Sequence, residues 1–189
     1  MSTDIVKTEA AESAPSSPAT EGEGAMQALG DEGQFLTFTL AEESYGVDIL
    51  KVQEIRGWSQ VTQIPNAPDF IRGVMNLRGE IVPILDIRRR FNMDEIEFTE
   101  HTVVIVLNIK DRTIGMVVDG VSDVVSIPAE EMRPAPDFGT AIDANFVRAL
   151  SPIGDRMVII LNVDEMLQGC DLVTIDNLTS SAPQEIAAD

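Results

Sequence analysis

Chemistry in a polypeptide needs reactive groups at workable spacing, and this chain offers few. Its single histidine is His101 and its single cysteine is Cys170. A nucleophilic triad needs a base beside its nucleophile. His101 stands at the polar start of a β-branched run and reads as a surface residue. One histidine also excludes a multi-histidine zinc site. Cys170 can close no internal disulfide, which suits a reducing compartment, and it reads as a small part-buried residue. Carboxylates are plentiful, and a facing pair could hydrolyse a glycoside. They lie at turns and strand ends, however, and one Trp and one Tyr are all that could stack on a sugar. The stretch Asp119-Gly120-Val121-Ser122-Asp123 lacks the alternating oxygen ligands and distal Glu of a calcium loop. There is no P-loop and no GxGxxG. The expectation is a protein that is not an enzyme and needs no cofactor or metal.

What remains is a set of charges embedded in apolar segments: Glu54 in VQEIRG, Arg78 in NLRG and Asp123 in VSDVV. These are either outward-facing strand positions or charges ringed by apolar surface that orient a partner. Arg78 is the most exposed by context. It sits in Leu77-Arg78-Gly79, between two apolar runs that read as strands, so it should stand at a bend. Gly73 and Gly79 let the backbone turn or approach another surface closely. The triplet Arg88-Arg89-Arg90 could be a phosphate or lipid patch. Acids at 86, 94, 95, 97 and 100 flank it, which favours a helix-end or surface salt-bridge role.

The elements that hold these residues are short. Leu36, Phe38 and Leu40 alternate on one face of a strand over 34–40, and 45–49 can return. Ile49, Val52 and Ile55 recur three apart and suggest one or two helical turns before Gly57. A loop around Pro65 and Pro68 leads to a possible short helix at 69–72. Residues 74–77 and 80–87 form the next strand pair, and Pro83 marks the second as an edge or a bulge. The β-branched run 102–109 reads as a strand buried on both faces. Strands over 113–118 and 121–127 follow around Asp119-Gly120. After a long loop over 128–146, residues 146–153 and 156–163 form a hairpin. Asn162 can cap a short helix over 163–168. This amounts to about nine or ten strands with little helix, an all-β barrel or sandwich pattern. No repeat of fixed period is visible.

The chain has 189 residues, is 44% hydrophobic and carries a formal charge of −19. That length suits one domain or two small subdomains sharing a core. The acidity argues against nucleic acid. Residues 1–33 hold one Lys and seven acids with almost no apolar periodicity, and read as a disordered acidic tail. The ordered body is expected over 34–168, with a marginal helix and frayed tail over 169–189. Nothing reads as a signal peptide or a membrane span, so the cytoplasm is the expected compartment.

In order, VDILKVQEIRG, FIRGVMNLRGEIVPILDIRRRF, TVVIVL, GMVVDGVSDVVSI, RPAPDFG and GDRMVIILNVDEML resemble the CheW family of bacterial chemotaxis coupling proteins. The resemblance covers residues 34 to 168. It implies two five-stranded SH3-like β-barrels around a common core. It implies a non-catalytic adaptor that links cytoplasmic tips of methyl-accepting receptors to the histidine kinase CheA, whose regulatory domain shares the fold. Other CheW copies are further possible partners. Arrays of these proteins lie at the inner face of the membrane. Carried over by motif, the partner-contacting positions are Val52, Glu54, Gly73, Arg78 and Val124, with Glu54 and Arg78 near each other. Two other readings stay open: a small-molecule sensor using the cleft between the barrels, and an adaptor of a non-motility chemosensory pathway. The 33-residue acidic tail exceeds the family's usual few residues.

Overall fold

The structure, a computed structural model, describes residues 33–94, 97–135 and 144–168. The acidic tail up to residue 32 and the C-terminal segment from 169, Cys170 included, lie outside the described residues. Ten strands dominate: β1 (Gly33–Leu40), β2 (Glu43–Asp48), β3 (Val52–Gly57), β4 (Ile71–Leu77), β5 (Glu80–Asp86), β6 (Val103–Ile109), β7 (Arg112–Val118), β8 (Gly120–Ile127), β9 (Val147–Ile153) and β10 (Arg156–Leu161). Among the described residues two short helices, α1 (Ile87–Arg90) and α2 (Val163–Gln168), each follow a strand. No described helix is long and apolar enough to cross a membrane.

The strands form two five-stranded sheets. Sheet one has the order β8-β1-β2-β10-β9 and sheet two the order β3-β6-β7-β5-β4. In each, the third and fourth strands are parallel and all other neighbours antiparallel. The sheets are therefore the same design, with β3-β4-β5-β6-β7 matching β8-β9-β10-β1-β2. The repeat is permuted along the chain, which is why no fixed period shows in the sequence. The parallel contact is built alike in both. Gly115 of β7 faces Ile84 of β5, and Gly46 of β2 faces Ile160 of β10. A Cβ at Gly115 would lie 2.4 Å from Ile84 Cδ1, and one at Gly46 2.8 Å from Ile160 Cδ1. The parallel strands approach closely only because one side chain is missing.

Three apolar clusters account for the layering. One lies between the sheets and draws Phe38, Leu40 and Tyr45 from sheet one and Ile105, Leu107 and Met116 from sheet two. The others belong to one sheet each, around Val82, Val104 and Val106 in sheet two and around Phe35, Val158 and Ile160 in sheet one. Strand β6 alternates between the shared and private clusters, with Ile105 and Leu107 in one and Val104 and Val106 in the other. Both its faces are dry, as its unbroken β-branched run anticipated. Rings run through the shared cluster from Phe38 to Tyr45, Phe91 and Phe146 at centroid separations of 5.9, 6.0 and 6.3 Å, within the range where aromatic pairs add to simple burial.

Several local expectations need correction. The three-residue spacing of Ile49, Val52 and Ile55 does not make a two-turn helix. A single 3-10 turn, Ile49–Lys51, is followed by β3. The β-branched residues there pair with β6, and ladder pairing outweighs a weak helical period. Residues 69–72 form a turn running into β4, with no helix. Pro83 had marked β5 as an edge or a bulge; the strand is interior, and the bulge in its ladder with β4 falls on β4, between Ile71 and Gly73. Pro83 is tolerated because the parallel pairing with β7 covers only Ile84, Leu85 and Asp86. Across β4 it opposes Val74, whose own N–H donates to the Thr62 carbonyl at 2.9 Å. No ladder hydrogen bond is asked of residue 83 on either side.

Candidate functional site

Arg78 stands at the tip of the β4–β5 hairpin. Its φ is +56° and that of Gly79 +93°, the paired positive values of a two-residue type I′ turn. Asn76 Oδ1 accepts from the Gly79 N–H at 2.8 Å and fastens the turn. The side chain is 81% exposed and its Nη2 donates to Glu54 Oε2 at 2.8 Å. Glu54 belongs to β3 and Arg78 to the hairpin that holds β4, so the ion pair joins the two edges of sheet two. An isolated backbone bridge ties Thr62, in the segment after β3, to Val74 of β4. The pair expected to lie close does so.

Glu54 does not simply face water. The β3–β6 register shifts between Val52 and Glu54, a bulge near the foot of β3. Glu54 is the sheltered residue at 23% exposure, while the apolar Ile55 beside it is 45% exposed. Arg56 approaches Glu54 from the other side at 3.9 Å. Edge strand β3 thus carries the ion pair on one face and, one residue on, an uncovered aliphatic side chain on the other. Such a surface offers apolar area and a charge that fixes orientation. Ile55 was missed because its three-residue spacing from Val52 and Ile49 read as one side of a helical turn.

The other candidates are placed differently. Val52, half-buried, packs against the shared core at the foot of β3. Gly73 is buried in β4, where a Cβ would lie 2.2 Å from the Thr62 carbonyl oxygen. It shapes the backbone behind the hairpin and presents no side chain. Val124 lies on β8 in sheet one and is 44% exposed. Under the match between the sheets, β8 is the counterpart of β3, and Val124 on VSDV corresponds to Ile55 on VQEI. Asp123, the counterpart of Glu54, is exposed, and its backbone N–H and carbonyl both bond the Thr37 hydroxyl of β1, at 3.2 and 2.8 Å. Each sheet thus exposes one aliphatic residue next to an acid on its outer strand. Leu50, 89% exposed on the turn before β3, and the exposed Met157 were not anticipated either. His101 is exposed beside Glu100, as expected.

The profile described as the CheW-like domain matches residues 34–170. The chain belongs to the CheW-like family. A chemotaxis protein CheW of Klebsiella aerogenes is 49% identical over 163 residues, spanning 86% of this chain and 97% of that protein. A chemotaxis protein CheW of Rhizobium meliloti is 35% identical over 133 residues, or 70% and 86% of the two chains. The crystal structure of the scaffolding protein TtCheW from Thermoanaerobacter tengcongensis superimposes with a TM-score of 0.67 at 34% identity, over 71% of this chain and 87% of that one. This CheW-like chain is thereby a chemotaxis scaffold by family and by fold.

The arginine triplet closes α1, the helix-end placement expected, but Arg88 does not lie on the surface. Arg88, 1% exposed, is among the most buried large side chains. Its Nε and Nη2 donate to the two oxygens of Asp86 at 3.1 and 3.2 Å, and its Nη1 to Asp119 Oδ1 at 3.0 Å. Arg72 Nε adds a bond to Asp86 Oδ2 at 2.9 Å. Both guanidinium groups lie 5.0 Å from the Phe98 ring centroid, and Phe98 stacks on Trp58 at 4.3 Å. Asp86 also caps α1, accepting from the Arg88 N–H. Burial alone would push the Asp86 carboxyl up. The hydrogen bonds and charges of Arg88 and then Arg72 outweigh it and hold the group below its ordinary 3.8. A folded-state value below the unfolded one stabilises the fold at pH well above 3.8, and that contribution is lost as pH falls through the lowered value. Denaturant unfolding from pH 7 to pH 2 is expected to show the stability gap between wild type and Asp86→Asn narrowing in the acid limb. A gap that stays constant with pH contradicts this account of the network.

Proposed function

We propose that this chain is a non-catalytic adaptor that couples methyl-accepting chemoreceptors to the histidine kinase CheA, working in the cytoplasm at receptor arrays. The partner-contacting residues are Val52, Glu54, Arg78 and Val124, with Gly73 shaping the backbone behind them. The observation that carries the reading is that one edge strand holds both the Glu54–Arg78 ion pair and exposed Ile55, in a family member whose other sheet repeats the acid–aliphatic sequence at Asp123 and Val124. A surface pair of this kind adds only about 0–1 kcal/mol to folding. Its value lies in display: it holds a cation and an anion at fixed places on the edge of the sheet.

The test is reconstitution. Receptor-containing membranes and CheA, with and without the chain, are assayed for receptor-controlled kinase activity. Kinase activity that rises with the added chain and responds to receptor ligand supports the proposal. A chain that neither binds CheA nor alters its receptor-dependent activity overturns it.

A further inference from the structure

The polypeptide passes between the sheets twice, once from β2 to β3 through Ile49–Lys51 and once from β7 to β8 through Asp119. Each passage is held by an ion pair to the same structural position. Asp119 pairs with Arg88, the second residue of α1. Lys51 pairs with Asp164, the second residue of α2. The helices follow β5 and β10, which are equivalent strands of the two sheets, and they begin on the similar sequences ILDIR and ILNVD. The two locks thus correspond under the internal repeat, with the signs of their charges exchanged.

The locks are unequal. Arg88 is buried and bidentate to Asp86, so its head group cannot wander. Asp119 is held as firmly from sheet one. Its Oδ2 accepts from the Ala41 N–H at 2.6 Å, and its own N–H donates to the Thr39 carbonyl at 3.1 Å. The chain of contacts therefore runs from Arg72 and Asp86 in sheet two, through Arg88 and Asp119, to the β1–β2 turn of sheet one. Lys51 and Asp164 are both partly exposed and joined by one ammonium contact. The rest of the junction is mainly the shared aliphatic and aromatic cluster, with Arg90 lying over the Phe70 and Phe146 rings at 5.0 and 4.9 Å. Such packing is largely non-directional, whereas a bidentate guanidinium has a fixed geometry.

We infer that Arg88 and Asp119 are positioning residues that set the orientation of one sheet against the other, with Lys51–Asp164 as a weaker counterpart at the second passage. Because each sheet displays its own contact strand, β3 or β8, that orientation fixes the angle between two docking faces. This consequence rests on the adaptor reading. The orientation itself does not.

The experiment therefore has two arms. In a Cys170→Ser background, spin labels are placed at the exposed positions 108 on β6 and 126 on β8, and their separation is measured by double electron–electron resonance. The full chain is compared with Asp119→Asn, which keeps the Arg88–Asp86 bonds, with Arg88→Met and with Lys51→Met. Melting curves establish that each variant is folded at the measuring temperature. The expected result is a distance distribution at least twofold broader, or displaced, in Asp119→Asn and Arg88→Met, with a smaller change in Lys51→Met. The second arm measures CheA binding and receptor-controlled kinase activity. Binding within about twofold of wild type, with control of the kinase lost, is the signature of misorientation. Folded variants with an unchanged distance distribution overturn the inference whatever the kinase does. Broadening that only follows the unfolded fraction overturns it too. If the distances change as expected and wild type itself has no effect on CheA, the adaptor reading fails and the orienting role stands.

Discussion

Gly73→Ala is expected to melt about 10 °C below the wild type. Two costs add. The backbone φ at Gly73 is +145°, a value for which a side chain costs about 1–3 kcal/mol. The new Cβ would also fall 2.2 Å from the Thr62 oxygen and 2.8 Å from its carbonyl carbon. That obstacle is backbone, and it is tied down, because Thr62 exchanges hydrogen bonds with Val74 in both directions at 2.9 Å. Overpacking against fixed atoms costs about 1–3 kcal/mol more. Gly79 provides the control. Its φ is +93°, yet a Cβ there meets nothing within 4 Å, so Gly79→Ala should carry the conformational cost alone and melt only a few degrees low. Differential scanning calorimetry of the two variants decides the matter, and equal melting temperatures would refute the clash. The same experiment bears on function. If Gly73 acts only by shaping its surroundings, loss of CheA binding in Gly73→Ala will track the unfolded fraction as temperature rises. Weak binding by fully folded protein would instead place a partner directly against this strand.

The sequence was most legible where one short-range rule governs. The run over β6 showed a strand with two dry faces, and the hairpin around Gly154-Asp155 was marked by its turn residues. Asn162 stood at the start of α2, where its Oδ1 does accept from the Glu165 N–H at 3.4 Å. It was least legible where a distant partner decides. The spacing of Ile49, Val52 and Ile55 fits a helix until β6 arrives to pair with it. Pro83 signals an edge until one knows that the parallel contact begins one residue later. The doubled architecture escaped notice because the match runs from β3–β7 onto β8–β10 followed by β1–β2, and a scan for a constant period cannot follow a permutation.

The candidate site shows the same division. Glu54 and Arg78 could be singled out as charges among apolar neighbours, and the structure brings them to 2.8 Å. Ile55 could not be, because its spacing from Ile49 and Val52 suggested a helical turn, and only the pairing of β3 with β6 shows an edge strand that leaves it uncovered. Arg88 misled for a related reason. Three consecutive arginines among acids look like solvated charge. Only the fold shows that the first of them is drawn inward by Asp86 and Asp119, from opposite sides of the sheet junction. A buried pair of this kind adds less to stability than its contacts suggest, since desolvation offsets much of the attraction, while loss of one partner is costly. Such a group is better understood as a fixer of geometry.

Arg78 should separate stability from function more sharply than any other residue. A non-glycine residue at φ +56° in the first central position of a type I′ turn is an unfavourable choice, and asparagine before Gly79 is the favoured one. Arg78→Asn should therefore hold or raise the stability, by up to about 1 kcal/mol, because the exposed ion pair it removes is worth no more than that. The same change takes away the cation that pairs with Glu54 at the edge of sheet two. Its expected effect on assembly with CheA and receptors is a loss of at least about tenfold in affinity, roughly 1.4 kcal/mol. Arg78→Glu should lose more, since it sets two carboxylates against each other across the edge of sheet two, yet its melting point should stay close to that of the wild type. Adding Glu54→Arg to Arg78→Glu restores the opposition of charges with its direction reversed, and should recover part of the lost binding if the pair acts by its mutual geometry. Titration calorimetry and a thermal melt on the four proteins give both readings together. Full binding by Arg78→Glu would remove Arg78 from the interface. A fall in stability of several kcal/mol would show that the turn needs the arginine, and the backbone argument would then be wrong. The strained residue is kept, on this account, because the partner requires a cation at a place where the chain alone would have asparagine.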